Sequence, residues 1–151
     1  MLPLKEATLD KHKKAERMPF NVRMFKSQLS KNEYLLYLNQ QLQIFQAIER
    51  SELPHINLER SKYIQTDIDE LNSQGFYTDH VLSSTSAYVK YINSLAYEQL
   101  LPHIYLNYLA IMFGGQIMKQ SVPSTGRMYV FENMQEALQS VRKVQQDEWA
   151  D

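Results

Sequence analysis

Two features of this 151-residue chain have residue types and spacing suited to chemistry: a histidine in a short charged helix, and two adjacent glycines inside a long apolar one. The histidine is His12. A neutral imidazole is a good metal ligand, and Lys5, seven residues earlier, would return to nearly the same face of one continuous helix about 10.5 Å away. Thr8, Leu9, Ala15 and Glu16 flank His12 at three- and four-residue steps, and their small or short side chains leave room for a flat ligand. Taken alone, a histidine among Lys11, Lys13 and Lys14 reads first as a solvent-facing residue of a charged face. The glycines are Gly114 and Gly115. Leu101, Ile104, Tyr105, Tyr108, Leu109, Met112 and Phe113 recur before them at helical steps, and Gln116 to Lys119 continue as good helix formers. Each glycine costs about 1 kcal/mol against alanine in a helix interior. The pair therefore reads as a kink at which a ligand or a neighbouring helix approaches the backbone, and spacing leaves both possibilities open. His55 and His80 fall in expected loops. His103 lies about three turns before the glycines and suits a structural hydrogen bond.

The elements that must position these residues are helical throughout. A first, polar helix is expected over about Pro3 to Arg17, and a short second one over Asn21 to Gln28. Ser30 with Glu33 forms a capping box that opens a long helix with Tyr34, Leu38, Gln41, Phe45 and Ile48 on one face, closed by Pro54. Another helix spans Leu58 to Ser73, with Gly75 as its stop signal, and a further one starts near Ser84. Pro102 suits the start or first turn of the glycine-bearing helix, where its missing amide is cheapest. Asn133 with Glu136 opens a last helix to about Trp149. No period-two pattern is sustained, so the class is all-α: one compact helical bundle over residues 1–151.

Composition narrows the function classes. Sixteen basic and seventeen acidic residues leave a formal charge of -1, which gives no nucleic-acid footprint. Cysteine is absent, which excludes disulfides and thiolate chemistry. The longest apolar run, Tyr108 to Phe113, is too short to span a bilayer, and the segment from Lys5 onward is charged and lacks a signal-peptide core. These features predict a cytoplasmic protein with no membrane span. No flavin or nicotinamide phosphate-binding glycine loop is present.

The run PHIYLNYLAIMFGGQIMK resembles the distal-helix signature of the haem oxygenases, through His103, Tyr105, Tyr108, Leu109, Gly114, Gly115, Gln116 and Lys119. Independently, KEATLDKHKKAE, residues 5 to 16, resembles that family's proximal helix, and PSTGRMYVFEN, residues 123 to 133, resembles its link to the next helix. The resemblance implies the haem-oxygenase-like fold, with haem held between the proximal and distal helices. It implies His12 as the proximal ligand of the haem iron, a neutral imidazole being the commonest protein-supplied one. Lys5, Glu16, Tyr105, Arg142 and Lys143 are the implied haem-contacting residues, the last two where the family has basic residues near the propionates. The distal backbone at Gly114 and Gly115 is the implied catalytic surface. Haem breakdown to biliverdin, iron and CO needs dioxygen as co-substrate and an external electron donor such as a ferredoxin or a reductase.

The sequence also departs from that family. Its distal aspartate, which holds the proton-delivering water network, corresponds to Ile111. By the same alignment Leu106 stands where the family often has threonine, Asn107 where it has arginine, and Ala110 where it has glycine; Phe45 replaces a tyrosine of the network. An aliphatic side chain cannot orient water or relay a proton. Three readings follow: a divergent haem oxygenase, a haem-binding, sensing or storage protein without oxygenase activity, and a protein of this fold that binds no haem. The first is the leading expectation and the second its alternative.

Overall fold

The computed structural model describes residues 2–150, and among them every regular element is helical. The segments are α1 (Leu4–Ala7), α2 (Leu9–Glu16), α3 (Pro19–Phe25), α4 (Lys31–Ile48), α5 (Ser61–Ser73), α6 (Ser83–Asn93), α7 (Tyr97–Met118) and α8 (Met134–Val144), with 3-10 turns at Ile56–Leu58, Arg127–Tyr129 and Asp147–Ala150.

Local chemistry sets most of these boundaries. Ser30 and Glu33 form the expected reciprocal capping box on α4, and Asn133 accepts from the Glu136 amide at the start of α8. Gly75, at φ +91° just past α5, takes the left-handed conformation that stops a helix cleanly. Three expectations are corrected. The first helix is divided at Thr8, whose hydroxyl donates to the Leu4 carbonyl at 2.8 Å. Lys5 and His12 therefore sit on separate helices, and the spacing of one continuous helix does not apply to them. Pro102 lies inside α7 rather than at its start, because Gln99 caps the Ala96 amide at 3.0 Å and begins the helix at Tyr97. The last helix ends at Val144, and Trp149 belongs to the separate C-terminal turn.

The core lies among α4, α5, α6, α7 and α8, where Tyr34, Leu38, Phe45, Ile48, Ile64, Leu71, Ile104, Tyr108, Met112 and Val141 are buried. α4 packs against both α5 and α6, and α8 against α7. Of the N-terminal helices, α3 adds Met24 to this core and α1 buries Leu4. α2 buries no residue, α3 packs on α7, and α1 packs on the C-terminal turn, where the Leu4 amide donates to Asp147 Oδ1 at 3.0 Å. No described helix is long and apolar enough to cross a membrane.

Candidate functional site

α7 is apolar nearly all round. Leu100, Ile104, Tyr108, Ile111, Met112 and Gly115 are buried, whereas Leu106, Phe113 and Ile117 are 63%, 52% and 57% exposed. The spacing of the second set, with Ala110 and Gly114 between its members, makes an uncovered stripe opposite the core. Sequence periodicity grouped Phe113 with the core face; it belongs to this other one. α7 runs unbroken through the glycine pair to Met118.

The two glycines face different surroundings. A Cβ built on Gly114 meets nothing within 4 Å, while one on Gly115 would stand 3.0 Å from Tyr129 Cε1 and closer still to Cδ1. The choice between ligand approach and helix packing is therefore split: Gly115 is required by packing, and Gly114 lies beside open space. Beside it, the Arg142 guanidinium rests 5.6 Å from the Phe113 ring centre. Lys143 is exposed on the next position of α8.

On α2, His12 is 67% exposed and its Nε2 meets Glu16 Oε1 at 2.8 Å. Lys5 is exposed on α1. The neighbouring apolar side chains Leu9, Met18, Phe20 and Phe25 are also exposed. Tyr105 is half-buried and stands edge-on to Trp149, with centroids 5.8 Å apart. Tyr105 therefore helps join α7 to the C-terminal turn on which α1 rests. The described residues thus present an accessible imidazole, an uncovered apolar stripe with a side-chain-free backbone position, and a guanidinium beside it. Such a set suits a flat apolar ligand with an acidic edge and a coordinating metal.

Behind the stripe the interior is lined mainly by apolar side chains. The Phe45 and Tyr108 rings meet edge-to-face at 4.9 Å, and Ile111 is buried one turn beyond Tyr108. The Tyr108 hydroxyl is buried without a hydrogen-bond partner, and burial with the nearby Glu49 charge pushes its pKa up. Glu49 accepts from the Arg60 and Ser61 amides and from the Ser61 hydroxyl, and burial raises its pKa too.

His103 is structural. Asn107 Nδ2 donates to the Tyr88 hydroxyl at 3.1 Å, and that hydroxyl shares a hydrogen bond with His103 Nδ1 at 2.7 Å. Desolvation lowers the pKa of this imidazole, which favours its neutral form.

The heme oxygenase family model matches residues 2–147, almost the whole chain. The chain belongs to the haem oxygenase family. Among solved structures it is similar to heme oxygenase-1 from the cyanobacterium Synechocystis in complex with heme, at 20% identity and TM-score 0.78, covering 97% of this chain and 80% of that one. It is also similar to heme oxygenase from Leptospira interrogans, at 21% identity and TM-score 0.79, covering 97% and 87%. No curated protein matches. The all-α haem oxygenase fold expected from the sequence is thus the fold found.

Sequence reasoning missed the supports of this site. Asp67 and Arg60, which brace α7 through a turn some 60 to 70 residues away, and Trp149, which meets Tyr105, show nothing locally of these contacts, and the motif over residues 123 to 133 contains Tyr129 without marking its contact with Gly115.

Proposed function

We propose that this haem oxygenase family member binds haem between α2 and the uncovered stripe of α7, and that its leading activity is oxidative haem breakdown with dioxygen and electrons from an external ferredoxin or reductase. The observation that carries the reading is the stripe itself: a family member that leaves Leu106, Phe113 and Ile117 exposed around a bare Gly114 has an apolar face fit for a macrocycle.

His12 ligates the iron, and to do so its Nε2 gives up Glu16. Once released, Glu16 is free to orient the ring from Nδ1, since a ligating imidazole commonly donates its second nitrogen to a carboxylate. Gly114 lets the α7 backbone approach the macrocycle, and Gly115 belongs to the same distal wall. Arg142, Lys143 and Lys5 offer cations to the propionates, and Tyr105 lies on the same helix. Bound haem supplies the iron at which dioxygen is reduced. The chain's own residues bind, orient and exclude water, and Ile111 offers no group to hold a proton.

The aliphatic Ile111 in that interior favours the second reading, a haem-binding protein without oxygenase turnover. The deciding experiment is a hemin titration followed in the same cuvette by reductant in air. A Soret band that forms and decays into a biliverdin band supports breakdown; one that forms and persists supports haem binding alone; no Soret band overturns both.

A further inference from the structure

The 3-10 turn Arg127–Tyr129 is gripped from two sides. On α5, the fully buried Asp67 accepts from the Arg127 and Met128 amides at 2.8 and 2.9 Å. Arg60, 1% exposed, donates to the Met128 and Val130 carbonyls, with its guanidinium 4.4 and 3.7 Å from the Tyr63 and Phe131 ring centres. A buried charge is costly unless hydrogen-bonded, and neither of these charges bonds the other; both hold the turn. From the opposite side, Gln116 of α7 donates to the Tyr129 carbonyl at 2.9 Å. Between these grips the Tyr129 ring, 2% exposed, lies flush on the Cα of Gly115. A Cβ at position 115 would therefore meet a buried ring on a turn bonded from two sides.

Neighbouring helical residues point about 100° apart, so the residue turned onto this ring leaves Gly114 toward the uncovered stripe. We propose that the clamped turn is a wedge behind α7, with Tyr129 and Gly115 as its positioning pair, setting how far the Gly114 face stands into the haem crevice. The ligand consequence rests on the haem-binding reading; the wedge does not.

Gly115→Ala, Tyr129→Val and the double variant of the full chain are compared by thermal unfolding without ligand and by hemin titration. Gly115→Ala lowers the unfolding midpoint, weakens hemin binding about tenfold and shifts the Soret maximum, because α7 is pushed off its seat. Tyr129→Val removes the ring that the new methyl meets, so the double variant recovers the wild-type Soret maximum and binds within about threefold of Tyr129→Val alone. A Gly115→Ala complex identical to wild type, or a double variant no better than Gly115→Ala, overturns the proposal. Should Gly115→Ala not fold, Asp67→Asn, which loosens the turn without touching α7, must shift the Soret maximum; an unshifted band overturns the wedge. If the wild-type chain forms no haem complex, the functional reading fails, and the unfolding midpoints still decide: strictly additive effects of Gly115→Ala and Tyr129→Val overturn the wedge on their own.

Discussion

At the scale of single residues, adjacent positions carry opposite roles. Gly114→Ala adds a methyl group to open space, so its unfolding midpoint stays within about 1 °C of wild type or rises slightly, helix propensity favouring alanine. Hemin affinity falls, since the methyl occupies the surface the macrocycle needs. Equal affinity in a titration would place the ligand elsewhere. His12→Ala leaves a folded protein, because α2 buries nothing, and abolishes the iron-ligation spectrum; a retained wild-type spectrum would remove His12 from the site. Ile111→Asp puts a carboxyl into a buried site and lowers stability by about 3 kcal/mol. Burial raises that carboxyl's pKa, so the folded state keeps the proton longer than the unfolded chain and stability falls further as pH rises through that window. The same group restores a proton-holding side chain, so biliverdin yield per bound haem rises. Unchanged yield with unchanged haem binding would show that the missing acid does not limit turnover.

At the scale of elements, two contacts between helices both weaken as pH falls, in different windows. Arg23 holds the Glu33 carboxylate at about pKa 2, tying α3 to the start of α4 through bonds of 2.6 and 2.7 Å. A depressed carboxylate gives its stabilisation above its unfolded value and loses it as pH falls toward the folded one, so this clasp weakens below about pH 4. His103 joins α7 to Tyr88 of α6 through their shared hydrogen bond. Its lowered pKa means that the unfolded chain binds the proton first, so stability drops as pH falls below about 6.5. Unfolding midpoints of wild type and His103→Asn between pH 7 and pH 5 check this: the slope belongs to wild type and shrinks in the variant. What sequence made legible at this scale was local. The capping pairs Ser30–Glu33 and Asn133–Glu136 lie three residues apart and were found. The break at Thr8 and the start of α7 at Tyr97 escaped, because a hydroxyl bonding four residues back and a glutamine capping an alanine are weak signals. The grip of Asp67 and Arg60 on a turn 60 to 70 residues away has no signature in one sequence.

At the scale of the whole molecule, the bundle core is complete without α2, and the candidate site is half core surface and half uncovered N-terminal helix. Order in α2 should therefore depend on ligand more than order in α4 or α5 does. Hydrogen exchange with and without hemin checks this: amides of Leu9–Glu16 slow on addition, while those of α4 change little. Hemin at a hundredfold excess over its dissociation constant raises stability by about 2.7 kcal/mol, or roughly 5 to 10 °C in midpoint for a chain of this length. The family, the helical class and the order of the helices were legible, because three motifs recur in the right sequence. How the glycine pair divides its work was not, since that depends on which ring lies behind it.

The seat beneath α7 also imposes an order in time. Gly115 finds its support only when Tyr129 is in place, and Tyr129 is held only when α5 is present to bond its turn. A nascent chain emerging from its N-terminus makes α7 before the turn that seats it, so the longest helix must wait, unseated and apolar, for the segment that follows. Closing that contact late is a long-range step of the kind that slows folding and exposes apolar surface meanwhile. For this chain, residues 127 to 129 are where synthesis delivers the seat of α7, with α8 still to close the core.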